Sequence, residues 1–395
     1  MNSLSRLIDL PQDERESRGL LHTPKEVHQQ PESWLATYGL FRRRHREIRT
    51  FLQSAGVFAE AGLRPTIFLV GAGTSDYAGR ALTQLLRHCW QCEVQAVPST
   101  DLLTHTEESL VPGRAYLWIT LSRSGESPEG IAVIERALKD HPSIHHLIVT
   151  CNAQAKMLRM TRGREQVLGI ALPDEVHDRG LAMTSSFSNM VVFGQCLAHV
   201  EGPERYEAAL KQVVEAGTNF RGAAADLAHE LANEDFTKAC FVGSGALKAV
   251  ATESALKVLE LTAGRIQTMS ESALGLRHGP MAAIDEQTLL VAFLSGDERV
   301  RRYELDLLEE IGKKRLVSTR VAVSASANAS IEDVAERVLV YRPSLTIADD
   351  YRPPLDAMFG QLLGLFFSLR CGLKPDCPSP SGAISRVVQN VPIHT

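Results

Sequence analysis

Two stretches decide the fold: "IFLVGAGTSDYAGRALTQLL" at residues 67–86 and "ACFVGSGALKAVATESALKVLEL" at residues 239–261. Each starts with a short apolar run, turns through a pair of closely spaced glycines and continues with apolar residues at helical spacing. A strand that feeds directly into a helix is half of a βαβ unit. Its recurrence in the second half of the chain marks an internal duplication.

The flanking sequence fits that reading. "TIFLV", "CEVQAV", "AYLWIT", "HHLIVT" and "VLGIAL" are short runs rich in β-branched residues, most of them separated by helical patterns. Strand–helix alternation of this kind predicts a parallel sheet covered on both faces. "TSSFSNMVVFGQCLAHVEG" then reads as a long buried helix, and further strands are expected at "TLLVAFLS", "TRVAVSA" and "RVLVY". A last buried helix is expected at "PLDAMFGQLLGLFFSLRCG". The expected class is α/β, with two tandem doubly wound, flavodoxin-like domains. The expected boundaries are a helical extension over 1–49, a first domain over 50–215, a second over 216–372 and a tail over 373–395.

Composition narrows the class of function. A chain of 395 residues, 44% hydrophobic and 23% charged, has the balance of a folded globular protein. Its net charge of −5 offers nothing to a nucleic-acid backbone. The basic run "RRRHR" at 42–46 reads as a solvated helix face. No run approaches the ~20 apolar residues of a membrane span, and the N-terminus lacks the apolar core of a signal peptide. Seven scattered cysteines fit reduced thiols, so a cytoplasmic location without a disulfide framework is expected. "CWQC" at 89–92 has no second pair to complete a zinc site, and no metal or other cofactor is expected.

The chemistry gathers at "LSRSGESPEG", residues 121–130. The carboxyl end of a parallel strand opens into the crevice where such sheets bind ligands. Pro128 suits the first position of the next helix, whose free N–H groups and dipole favour an anion. Ser122, Ser124 and Ser127 add hydroxyl donors, and Gly125 allows close backbone approach. The segment reads as a cradle for a phosphate monoester, or else as a serine-rich turn capped by Ser127. No "GxxxxGK[ST]" is present, which argues against a nucleotide loop. At the matching place in the second half stands "SGDERV", whose Asp297 and Glu298 would repel an anion.

The second half carries "ALKVLELTAGRIQTMSESALGLRHGP", residues 255–280. Glu260 lies near a helix end among Val258, Leu259 and Leu261. A carboxylate enclosed by such neighbours would hold a proton more readily, as a general base near neutrality requires. His278 sits at a turn forced by Gly279 and Pro280, and histidine can shuttle a proton at physiological pH.

With these motifs the chain resembles the sugar isomerase (SIS) domain family from about residue 50 onward, as two tandem SIS domains. "GAGTS" and "SRSGES" resemble the family's phosphosugar-binding pair, and the segment ending in "RHGP" is similar to its catalytic segment. "LELTAGR", "LGLRHGP" and "SRVVQNV" are most similar to the AgaS type, tagatose-6-phosphate ketose/aldose isomerases and galactosamine-6-phosphate deaminases. The chain is also similar to the isomerase half of glucosamine-6-phosphate synthase. The resemblance implies that Gly73, Thr74, Ser75, Ser122, Arg123, Ser124 and Ser127 hold the phosphate, and that Thr184 and Ser185 contact the sugar. It further implies that Glu260 is the base and that His278 opens the ring. Arg386 stands where the synthase has a catalytic lysine; an arginine stays protonated and forms no Schiff base.

The expected reaction is aldose–ketose isomerisation of a hexosamine 6-phosphate with loss of ammonia, galactosamine 6-phosphate giving tagatose 6-phosphate. Isomerisation of a plain hexose 6-phosphate is the neighbouring alternative. A non-catalytic sugar-phosphate sensor would keep the serines and dispense with Glu260 and His278. A dinucleotide enzyme is disfavoured because Asp76 occupies the third-glycine position of "GAGTSDYAG". The partners implied are a small phosphosugar and a second copy of the chain as a homodimer, with no nucleic acid and no membrane.

Overall fold

A computed structural model describes residues 1–341, 346–388 and 391–394; Gln389 and Asn390 of "SRVVQNV" lie outside the described residues. Four helices come first: α1 (Ser3–Ile8), α2 (Gln12–Arg18), α3 (Thr23–His28) and α4 (Gln30–Ser54). The first alternation follows as β1 (Thr66–Gly71), α5 (Thr74–Trp90), β2 (Val94–Pro98), α6 (Ser99–Ser109), β3 (Tyr116–Ser122), α7 (Pro128–Asp140), β4 (His145–Thr150), α8 (Lys156–Thr161) and β5 (Val167–Ala171). Two long helices, α9 (Ser185–Ala198) and α10 (Pro203–Ala232), lead to the second alternation. This comprises β6 (Lys238–Gly243), α11 (Ala246–Leu261), β7 (Gln267–Ser272), β8 (Thr288–Phe293), α12 (Glu298–Lys313), β9 (Thr319–Ser324), α13 (Ala329–Glu332) and β10 (Arg337–Val340). Helix α14 (Pro353–Arg370) ends the ordered core.

Both sheets are five-stranded and parallel, and they share one strand order. The first runs β2-β1-β3-β4-β5 and the second β7-β6-β8-β9-β10. Identical order in two halves is what a duplication predicts. The strand order reverses beside β1, and again beside β6, which sets a crevice at the carboxyl ends of those strands.

The chain divides into two compact units, each discontinuous in sequence. One comprises 1–32, 178–184 and 209–383 and holds the second sheet; the other comprises 33–177, 185–208 and 384–395 and holds the first.

In the unit of the first sheet, β1 is buried along its whole length, as a central strand covered on both faces must be. Gly79 brings α5 close to the sheet, since a Cβ there would lie 3.0 Å from the Leu69 Cβ. Gly194 does the same for α9 against Leu82 of α5. On the opposite face Phe68, Trp118, Leu102 and Val133 form one cluster. His146 is paired in register with Trp118, fully buried, with no hydrogen-bond partner at either ring nitrogen. Burial pushes its pKa down to about 4.

In the other unit α11 and α14 pack through glycines. A Cβ on Gly360 would fall 2.2 Å from the Ser254 hydroxyl, and one on Gly364 2.9 Å from the Lys257 carbonyl oxygen. Small residues let the two helix backbones approach and fix α11 firmly. The N-terminal turns are tied in by Asp376, whose carboxylate accepts the Thr23 N–H at 2.7 Å and the His22 N–H at 3.1 Å.

Candidate active site

The cradle is built at the ends of β1 and β3. Gly73 takes φ 55° and ψ −126° immediately before α5, a conformation that suits glycine. A Cβ on Gly71 would lie 2.5 Å from the Ser75 backbone, so both glycines are needed for the tight strand-to-helix turn. Thr74 and Ser75 open the helix and are buried.

Beyond β3 the loop folds on its own hydroxyls. Ser122 Oγ accepts the Gly125 N–H at 3.0 Å, Ser124 Oγ the Glu126 N–H at 3.2 Å, and Ser127 Oγ the Gly130 N–H at 3.2 Å. All three oxygens act as acceptors within the loop, so each hydroxyl hydrogen remains to be donated to an anion. Ser127 caps α7 and Pro128 takes its first position. The loop is held from the next turn: Asn152 Nδ2 donates to the Ser124 carbonyl at 3.0 Å, and Thr150 Oγ1 to the Arg123 carbonyl at 3.2 Å. Gly125 has φ 60°, and a Cβ there would strike Ala155 at 2.5 Å.

The acidic residues near the cradle face elsewhere. Glu126 accepts the Lys156 N–H at 2.7 Å, at the start of α8. Asp76 is ion-paired with Arg80 at 2.8 Å, and burial raises its pKa. Arg123 is buried, and its guanidinium donates to the backbone carbonyl of Arg386 in the tail. Arginine and tail are thereby joined at the edge of the serine loop.

The other unit carries the acid–base candidates. Glu260 occupies the last turn of α11, with its Oε2 2.5 Å from Lys257 Nζ. Lys257 Nζ lies 3.5 Å from Glu253 Oε1, and both of those side chains are buried while Glu260 is a quarter exposed. The apolar sequence neighbours therefore do not enclose the carboxylate: Leu259 is exposed, and Glu260 faces a buried ammonium group. Residues three and four apart share a helix face, whereas adjacent residues do not. Read that way, Glu253, Lys257 and Glu260 form one charged stripe, a signal present in "ESALKVLE" and missed by a reading of nearest neighbours.

His278 follows a short 3₁₀ turn over Gly275–Arg277, its N–H bonded to the Gly275 carbonyl at 2.9 Å, and it is exposed. Leu276 is buried in the core cluster below, and Arg277 pairs with Glu310 at 2.7 Å, so the turn presenting the histidine is pinned at two points. Glu260 and His278 share no hydrogen bond among the described residues.

Thr184 and Ser185 are both fully buried. Thr184 Oγ1 donates to Asp178 Oδ1 at 3.0 Å, and its N–H to Asp178 Oδ2 at 2.7 Å. Asp178, which the sequence reading did not single out, thus closes the segment 178–184. The Arg179 N–H donates to Glu26 at 2.5 Å, and burial followed by the Asp178 charge raises the Glu26 pKa to about 8.

No protein-family model matches the chain. Two relatives span nearly its whole length. A candidate D-galactosamine-6-phosphate deaminase AgaS of Streptomyces coelicolor is 37% identical over 383 residues, 95% of this chain and 96% of that protein. The D-galactosamine-6-phosphate deaminase AgaS of Escherichia coli O157:H7 is 34% identical, over 94% of this chain and 95% of that protein. Among solved structures, tagatose-6-phosphate ketose/aldose isomerase from Escherichia coli superposes with a TM-score of 0.84 at 30% identity, over 94% of this chain and 96% of that one.

Proposed function

Because this chain belongs to the AgaS family of SIS-domain proteins, we propose that it converts a hexosamine 6-phosphate, galactosamine 6-phosphate in the first instance, into tagatose 6-phosphate and ammonia. The observation that carries the proposal is the loop Ser122–Ser127, whose three serine oxygens are occupied as acceptors and whose hydrogens remain to be given. An anion without a nucleotide suits that loop, and a phosphate monoester supplies the charge and the acceptors.

The reaction follows from few parts. The phosphate docks against Thr74, Ser75 and the serine loop, and this remote binding positions C1 and C2. His278 gives a proton to the ring oxygen and the ring opens to the aldehyde. Glu260 takes the proton from C2 and returns one to C1 through an enaminol. The product is the C2 imine, to which water adds; ammonia leaves and the ketone remains. Lys257, 2.5 Å from Glu260, holds the carboxylate in position for the transfer. Thr184 and Ser185 are the residues proposed to face the sugar, and the tail residue Arg386 is held beside the loop by Arg123. A hexose 6-phosphate with a C2 hydroxyl would undergo the same proton transfer and stop at the ketose. A second copy of the chain is proposed to pair with the first. No helix among the described residues is long and apolar enough to cross a membrane.

The test is a panel of hexosamine and hexose 6-phosphates assayed for both ammonia and ketose phosphate. Ammonia and ketose in equal amounts from galactosamine 6-phosphate is the expected result. Ketose from a plain hexose phosphate, with no ammonia from any amino sugar, would replace deamination by isomerisation. Neither product from any member would return the chain to the sensor class.

A further inference from the structure

The crevice at the ends of β6 and β8 occupies the same place in its sheet as the serine cradle does in the first. It is filled from inside. Glu304 of α12, nearly fully buried, accepts the Ser295 N–H at 2.7 Å, and the hydroxyl of Ser244 at the end of β6 also donates to it. Asp349 accepts the Gly296 N–H at 2.8 Å and the Ser295 hydroxyl at 2.5 Å. Fully buried Arg352 holds Asp349 at 2.9 Å and donates to the Leu294 carbonyl at 2.7 Å. Two successive backbone amides at the strand end are thus spent on carboxylates of the chain itself. Those are the donors that an anion in such a crevice would take.

The strand registers show what has been exchanged. Val70 pairs with Thr120 and Val242 with Ala292, which matches Ser295 to Arg123 and Gly296 to Ser124. Counting from the first residues of α7 and α12 matches Glu304 to Ile134, a core residue of the first module. A carboxylate stands where the first module has hydrocarbon. Burial raises the Glu304 pKa, and the Ser244 and Ser295 bonds oppose that shift by favouring the ionised form.

We propose that Glu304 and Asp349 are tethered carboxyl groups filling a second oxyanion site, so that each chain takes up one phosphosugar and not two. A small carboxylate or oxyanion is the class of ligand that fits once the tether is cut. The stoichiometry rests on reading the serine cradle as the phosphate site; the anion site itself does not.

The test uses the full chain with Glu304→Ala, melted in sodium acetate, sodium phosphate and, at equal ionic strength, sodium chloride. The variant is expected to melt lower than the parent. Acetate should raise its melting temperature saturably by a few degrees above chloride, while the parent responds alike to acetate and chloride; phosphate, which the serine cradle takes up, should raise both chains. Should Glu304→Ala not fold, Asp349→Ala, at a partly exposed position, takes the same titration. Calorimetry with a hexitol 6-phosphate, which cannot isomerise, is expected to give one site per parent chain. Acetate acting no differently from chloride on the variant, or two sites on the parent chain, would overturn the proposal. Acetate rescue without any hexitol phosphate binding would instead remove the phosphate reading of the serine cradle and leave the tethered carboxyl groups standing.

Discussion

The turns after β1 and β6 have nearly the same backbone and opposite chemistry. Gly73 has φ 55° and ψ −126°; Gly245 has φ 57° and ψ −129°. Gly71 and Gly243 are each too crowded for a Cβ, against Ser75 at 2.5 Å and Leu247 at 2.4 Å respectively. Onto this shared frame the first module places Thr74, Ser75 and a serine loop. The second places Ala246, Leu247 and a loop two residues shorter, closed on internal carboxylates. The helices that follow differ in the reverse sense. Matching Gly73 to Gly245 sets Glu253, Lys257 and Glu260 of α11 against Ala81, Leu85 and His88 of α5. One copy has kept an anion crevice beside a helix with Ala81 and Leu85 where the other has Glu253 and Lys257, and the other has kept that charged stripe beside a plugged crevice. The fold supplies the crevice, and a handful of side chains decides what it holds.

The division of labour is broken most directly at Glu260. Glu260→Gln keeps the shape and removes the proton acceptor, so kcat should fall by roughly 10²–10⁴-fold with little change in KM. His88→Ala, at the matching and exposed position of α5, should leave kcat unaltered. Steady-state ammonia release measures both. A Glu260→Gln enzyme that turns over normally would end the assignment of chemistry to the second module.

A smaller effect is expected at the serine loop. Ser124→Ala removes a hydroxyl donor to a charged group, worth about 1.5–3 kcal/mol, or roughly a 10- to 100-fold rise in KM. Its register partner region carries the opposite expectation: Ser295→Ala, with its hydroxyl on Asp349, should change stability and not KM. Equal rises in KM for the two variants would erase the distinction between the crevices.

Much of this was legible in the residues, and the failures have physical causes. Buried central strands announce themselves, as "IFLV" and "LLVAF" do, because both faces must be apolar. Strand β7, "QTMSES", escaped detection: it is an edge strand, half-exposed along nearly its whole length, so nothing forces its side chains to be hydrophobic. Glycine pairs and Ser127-Pro128 were readable because only those residues suit a tight turn and a helix start. Lys257, Asp178 and Glu304 were not singled out, because a buried charge is defined by its partner. Those partners are Glu260, the Thr184 hydroxyl and the Ser295 amide. The partner of Glu304 is fixed by the strand-end crevice and not by helix spacing.

The two sheets should also differ in their response to acid. His146 has no partner in the first core, whereas the register-matched Arg320 of the second sheet pairs with Glu336 at the surface. With its pKa lowered to about 4, His146 stays neutral in the folded chain while the unfolded chain protonates near the ordinary value. Its neutral form is therefore no burden above about pH 6.5, and stability falls as the pH drops from there toward 4. The loss is about 1.4 kcal/mol by pH 5.5. His146→Phe should flatten this slope in denaturant melts at pH 5.5 and 7.5. An unchanged slope would place the acid-sensitive group elsewhere.

The smallest expected effect sharpens the comparison most, because it separates structure from binding at equivalent positions. Ser127 caps α7 through the Gly130 N–H, and Asp297 caps α12 through the Arg299 and Val300 N–H groups at 2.9 and 3.1 Å. Each cap is worth about 1 kcal/mol, so Ser127→Ala and Asp297→Ala should lower stability by similar amounts. Only Ser127 has a further hydrogen to give toward the crevice, so only Ser127→Ala should also weaken phosphosugar binding. The carboxylate of Asp297 opposes an anion, and its removal should leave KM unchanged or lower it. Glycine substitutions, which retain most of a cap's function at a helix start, separate the two contributions: Ser127→Gly should recover stability without recovering KM. If KM recovers along with stability, Ser127 is only a cap, and the phosphate is held by Ser122 and Ser124 with the backbone amides.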